Sequence, residues 1–152
     1  MTGFLLSLHI LVFGLSLAFT AGVGILCARV ARTGSPEAIR ATFTAAQPLQ
    51  IAGGIGWLVT AILGVAVASA FAIPLTATWL LWSYAAFVVL FLSGVGLHSP
   101  WMAKVIAAAA ASDGQKSEDL QALLRSPVSP LASALSAASV IALIYLMSAK
   151  PG

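Results

Sequence analysis

An all-α membrane bundle of four helices running up-down-up-down is the fold this sequence predicts, on three observations. Hydrophobic residues make up 61% of its 152 positions and charged ones 7%, where soluble domains carry about 25% charged residues. Four segments, Phe4–Ala28, Leu49–Ala72, Thr76–His98 and Leu131–Ser148, contain no Asp, Glu, Lys or Arg, and a membrane crossing needs roughly 20 apolar residues. Six of the seven basic residues fall in Arg29–Arg40 and Lys104–Arg125, between those spans. The reading is a single transmembrane domain over residues 1–152, with polar connections at 29–48 and 99–130. The apolar runs are continuous and do not alternate as barrel strands do, so helices are the spanning form.

The first span has no basic residue before it and outruns the 7–15 apolar residues, roughly, of a signal peptide, so it reads as a true first helix. After it, Ser35-Pro36-Glu37 has the order of a helix start: a capping hydroxyl, a proline at the first helical position and an acid in the first turn. That helix is expected to pass Arg40 and Phe43 and to kink or restart at Pro48. Ile73–Leu75 is a short uncharged link to the third span. Ser117-Glu118-Asp119 repeats the cap-and-acid order, predicting a short helix over Glu118–Arg125 that stops before Pro127, and Pro130-Leu131 opens the fourth span.

The basic residues orient the bundle. Positive charge accumulates on the cytoplasmic side, so both termini are expected outside, and the net charge of +3 is a topology signal, not a nucleic-acid footprint. The single cysteine, Cys27, cannot form an intramolecular disulfide and reads as a small packing residue.

The chain also resembles itself. Gly22-Val23-Gly24 and Gly94-Val95-Gly96 lie at the inner ends of spans one and three, with Phe19 and Phe91 at matching offsets. Ser35 precedes Pro48-Leu49 as Ser117 precedes Pro130-Leu131. The pattern predicts a tandem repeat of a helical hairpin in parallel orientation, the second copy lengthened within Met102–Ser112. Neither histidine is duplicated: His9 aligns with Leu81 and His98 with Leu26. If there is a site, that asymmetry is where to look.

Small residues recur every four positions as Gly14, Ala18 and Gly22 in span one, as Gly56, Thr60, Gly64 and Ala68 in span two, and as Ser129, Ser133 and Ala137 near span four. Such stripes let helix backbones approach closely. In span one, His9, Ser16, Thr20 and Cys27 fall within about 20° of one face, opposite the small stripe. The polar face is expected to look into the bundle, leaving Gly14, Ala18 and Gly22 for a neighbouring helix or a second copy.

His9 is the one ionisable side chain well inside a span, a position whose desolvation cost marks it for function. Trp79, Trp82, Tyr84 and Tyr145 are expected at its depth. Two readings follow. In one, the aromatics form an interfacial belt and His9 hydrogen-bonds a neighbouring hydroxyl or carbonyl. In the other, His9, Ser16, Thr20, Trp82, Tyr84 and Tyr145 enclose a pocket in which His9 ligates haem or hydrogen-bonds a quinone or porphyrin. His98, placed at the opposite face of the membrane, cannot share a metal with His9 and reads as an interfacial residue near a helix C-terminus. No metal-spaced cluster, phosphate loop or nucleophile triad occurs, and with a single ionisable intramembrane group ion translocation is disfavoured.

Leu8-His9 followed by Gly14, then Arg29-Val30-Ala31-Arg32 and Gly34-Ser35-Pro36-Glu37, resembles an uncharacterised bacterial family of integral membrane proteins over most of the chain. More distantly, the Leu-His first helix is similar to four-helix protoporphyrinogen oxidases and to copper-resistance D membrane domains. That resemblance implies a bacterial inner-membrane location and a haem-binding role for His9. The basic residue typical of helix three in the oxidases has no counterpart here. The functions to weigh are thus a non-catalytic binding or accessory protein, alone in the bilayer or with a homo-oligomeric or other membrane partner; a haem- or porphyrin-linked redox protein; and a small-molecule transporter.

Overall fold

A computed structural model describes residues 2–150, and among them every regular element is helical. Three long helices, α1 (Thr2–Thr33), α2 (Pro36–Ala70) and α3 (Thr78–Ala110), are followed by the short α4 (Glu118–Arg125) and then α5 (Val128–Ala149). α1, α2, α3 and the α4–α5 arm are each long and apolar enough to cross a membrane. The 35 residues of α2 extend over about 53 Å at 1.5 Å per residue, well beyond a hydrocarbon core of about 30 Å. All four therefore continue past their apolar spans at the end carrying the basic residues. The connections expected at 29–48 and 99–130 are mostly helix, interrupted at 34–35, 111–117 and 126–127.

α2 does not restart at Pro48. Proline removes one helical N–H and crowds the carbonyl four residues back. Pro48 and Thr44 both lie on the exposed side of α2, so that carbonyl does not face the core. Both serine caps form: Ser35 Oγ accepts the Ala38 N–H at 3.3 Å and Ser117 Oγ accepts the Leu120 N–H at 3.2 Å, filling orphan donors of the first turn. α2 ends in a Schellman turn, with the Ile73 N–H on the Ala68 carbonyl and the Ala72 N–H on the Ser69 carbonyl. Ala72 takes φ 53° there, the left-handed position that glycine usually fills.

α1 lies along α2, and α3 along α5, so the molecule is two hairpins joined mainly where α2 meets α3 at the basic end. α1 and α3 each contain one wide i→i+5 turn, at Ala18–Gly22 and Ser93–His98. The join is a closed apolar core. Ile39, Phe43, Val105 and Leu120 are fully buried with Cys27, Trp101 and Met102 around them, and the Phe43 and Trp101 rings sit 5.9 Å apart. Trp101 Nε1 donates to the Leu123 carbonyl at 3.0 Å, holding the end of α4 against α3. Lys116 Nζ donates to the Ala31 carbonyl at 2.9 Å, where a cation meets the negative end of the α1 dipole. Halfway along the bundle, Trp57, Leu90, Val140 and Leu143 pack with Phe13 and Leu17.

Candidate functional site

The polar face of α1 meets the small face of α2. His9 and Ser16 are buried and Thr20 half-buried along one seam, and every hydroxyl in it is used locally. Ser16 Oγ donates to the Val12 carbonyl (2.7 Å), Thr20 Oγ1 to the Ser16 carbonyl (2.8 Å) and Thr60 Oγ1 to the Gly56 carbonyl (2.8 Å). Back-bonding to the preceding turn lets a hydroxyl enter an apolar region without an unmet donor.

The glycines of α2 are spaces for these groups. A Cβ on Gly56 would strike Ser16 Oγ, and one on Gly53 would lie 2.7 Å from Thr20 Cγ2. A Cβ on Gly64 would lie 3.2 Å from His9 Cε1 and 3.7 Å from its Nδ1. Gly64 is one turn beyond Thr60, so its missing side chain opens the route by which the imidazole reaches the Thr60 carbonyl. His9 Nδ1 lies 3.0 Å from that oxygen. A carbonyl can only accept, so Nδ1 carries the proton and donates. The Nε2 lone pair then remains for an acceptor role or for ligation, since the bond made by one ring nitrogen decides the chemistry of the other.

Two residues outside the sequence prediction complete the seam. Gln50 Nε2 donates to the Thr20 carbonyl at 3.3 Å, and Trp57 Nε1 donates to Thr20 Oγ1 at 3.4 Å. Both brace the wide turn of α1. Phe13 meets Trp57 edge-on at 5.3 Å.

The remaining candidates lie elsewhere. Trp82 and Tyr145 are 64% and 62% exposed and flank a shallow apolar groove of about 360 Å³ between α3 and α5, with Ala85, Ala86, Val89, Ala142 and Leu146. His9 does not line that groove, and Tyr84, half-buried on α3, does not either. The structure thus brings His9, Ser16 and Thr20 together and leaves the three aromatics on the other hairpin. Gly14, Ala18 and Gly22 are exposed on the far side of α1, and a Cβ on Gly14 or Gly22 would meet nothing within 4 Å. His98 packs beside Trp101 at 5.5 Å, and its Nε2 is enclosed without a hydrogen-bond partner among the described residues.

Comparison with protein-family models, curated proteins and solved structures gives no match. Function must be argued from the seam itself. Among the described residues no three His, Cys, Asp or Glu side chains gather as a metal site. The chemistry on offer is one oriented imidazole at a seam between two helices: a single acceptor, or a single axial ligand.

Proposed function

We propose that this is a non-catalytic, multi-pass membrane protein that binds a small hydrophobic ligand at His9, with its basic end in the cytoplasm and both termini outside. The observation carrying the reading is the His9–Thr60 bond in the space above Gly64. It holds the imidazole in one tautomer and leaves Nε2 as the lone acceptor. The ligand class follows: an apolar body with one hydroxyl or N–H donor. Orientation is supported by the six cations gathered at one end of the bundle, and a reporter fused after Gly152 that worked only in the cytoplasm would reverse it.

A second reading, His9 as axial ligand to haem in a redox protein, is favoured by the same bond. Metal-ligating histidines characteristically donate their other nitrogen to a carbonyl or carboxylate. One experiment separates the two. Wild type and His9→Ala are purified in detergent, their absorption spectra recorded and their organic extracts compared by mass spectrometry. An apolar compound present with wild type and lost from the variant, in a colourless protein, supports the binding reading. A haem band lost on substitution supports the redox reading. Identical extracts and colourless spectra reject both.

A further inference from the structure

The turn of the second hairpin forms a cleft with the start of α2. α1 turns into α2 after Gly34 and Ser35, whereas α3 runs on through an alanine stretch to Ala110 and needs residues 111–117 to return. Against the first turns of α2, this extension borders an open cleft of about 470 Å³ whose lining includes Glu37, Arg40, Ala41, Ala109, Ala110 and Asp113. Ala41, Ala109 and Ala110 give it a floor of small apolar side chains.

Its rim carries three charges. Glu37 is held below the usual carboxylate range by the Ser35 hydroxyl, its own N–H and the Gly114 N–H. Lys116, the cation of residues 111–117, is spent on the carbonyls of Ala31 and Arg32. Arg40, exposed on α2, lines the same cleft as one carboxylate from each hairpin, Glu37 and Asp113. Two carboxylates disfavour a simple anion and Arg40 disfavours a simple cation, while the absence of any three-ligand cluster among the described residues disfavours a metal. Arg40 lies nine residues before Leu49, about 14 Å along the helix, beyond the headgroup layer of roughly 5–7 Å per side.

We infer that this cleft binds a small water-soluble zwitterion of the amino-acid type, its ammonium between Glu37 and Asp113, its carboxylate on Arg40 and its apolar body on Ala41, Ala109 and Ala110. The site is independent of the one at His9.

The test is calorimetric titration of the full chain in detergent with L-leucine, N-acetyl-L-leucine (no ammonium) and L-leucinamide (no carboxylate). Saturable binding of leucine is expected, with each derivative weaker by about tenfold or more, the size of one lost charged contact. Arg40→Ala should bring leucine down to the level of leucinamide, and Glu37→Gln should bring it towards N-acetyl-leucine. Both side chains are exposed, and circular dichroism checks that the variants fold. Ala110→Leu, filling the floor without touching a charge, should also abolish binding. No saturable heat with leucine, equal binding of all three probes, or indifference to Arg40→Ala would each overturn the assignment.

Discussion

The two hairpins reach the same architecture by different contacts. α1 and α2 approach through missing side chains, with Gly53, Gly56 and Gly64 receiving Thr20, Ser16 and His9. α3 and α5 close around ordinary bulk, with Leu90 against Val140 and Leu143 and one hydroxyl pair, Ser93 to Ser136 at 2.8 Å. In lipid there is little hydrophobic force between helices, so association rests on close packing and hydrogen bonds. The first hairpin has specialised that requirement into a polar seam able to hold an imidazole. The second has met it with structure alone. A wide turn with a Gly-Val-Gly sequence at or just after it occurs in both, and the difference lies in what the partner helix presents to it.

The largest effect should come from cutting the join on which the comparison depends. Phe43→Ala empties a fully buried site against Trp101, and large aromatic truncations in cores cost about 3–5 kcal/mol. Thermal unfolding in detergent, followed by tryptophan fluorescence, should show a large drop in midpoint. An unchanged midpoint would mean that the hairpins are stable separately. Next is the seam. Gly56→Ala puts a methyl group onto Ser16 Oγ, and overpacking of this kind costs about 1–3 kcal/mol. If the variant is as stable as wild type, α1 and α2 do not meet at this register.

The opposite face of α1 supplies the control. Gly14→Ala meets no atom within 4 Å, and replacing a helical glycine by alanine gains about 0.5–1 kcal/mol. The midpoint should rise slightly. A fall would mean that Gly14 is buried against a second copy or another protein, and crosslinking at low detergent would then identify which.

Much of this arrangement was legible in the sequence because it is periodic. Absence of charge marks the four helices, and a serine followed by a first-turn acid marks both caps. The 100° step placed His9, Ser16, Thr20 and Cys27 on one side of α1, where the structure has them turned inward. What was not legible depends on register between helices. By spacing Thr60 is one of a packing stripe, and nothing local shows that its carbonyl receives His9. The same holds for Gln50 and Trp57 on Thr20, and for Lys116 on Ala31, 85 residues away. Pro48 predicts a kink or restart because its effect on a helix is local, whereas its tolerance depends on which side of α2 faces the core. In the sequence, only depth joins Trp82, Tyr84 and Tyr145 to His9. Depth does not say which hairpin a residue faces.

The smallest effect belongs to the second hairpin and tests whether its hydroxyl pair matters. Ser93 Oγ lies 2.8 Å from the Leu90 carbonyl and 2.8 Å from Ser136 Oγ. One hydroxyl has one proton, so Ser93 donates to Leu90 while accepting from Ser136. Ser93→Ala removes that acceptor and leaves the Ser136 proton to find a carbonyl of its own helix, as Ser16 and Thr60 already do. Interhelical hydrogen bonds of this kind average about 0.6 kcal/mol in membranes, so a shift near the limit of measurement is expected. A double-mutant cycle with Ser136→Ala isolates the pair. Coupling well above that value would mean that the second hairpin, like the first, is held by polar contacts, and the contrast between them would narrow to the histidine alone.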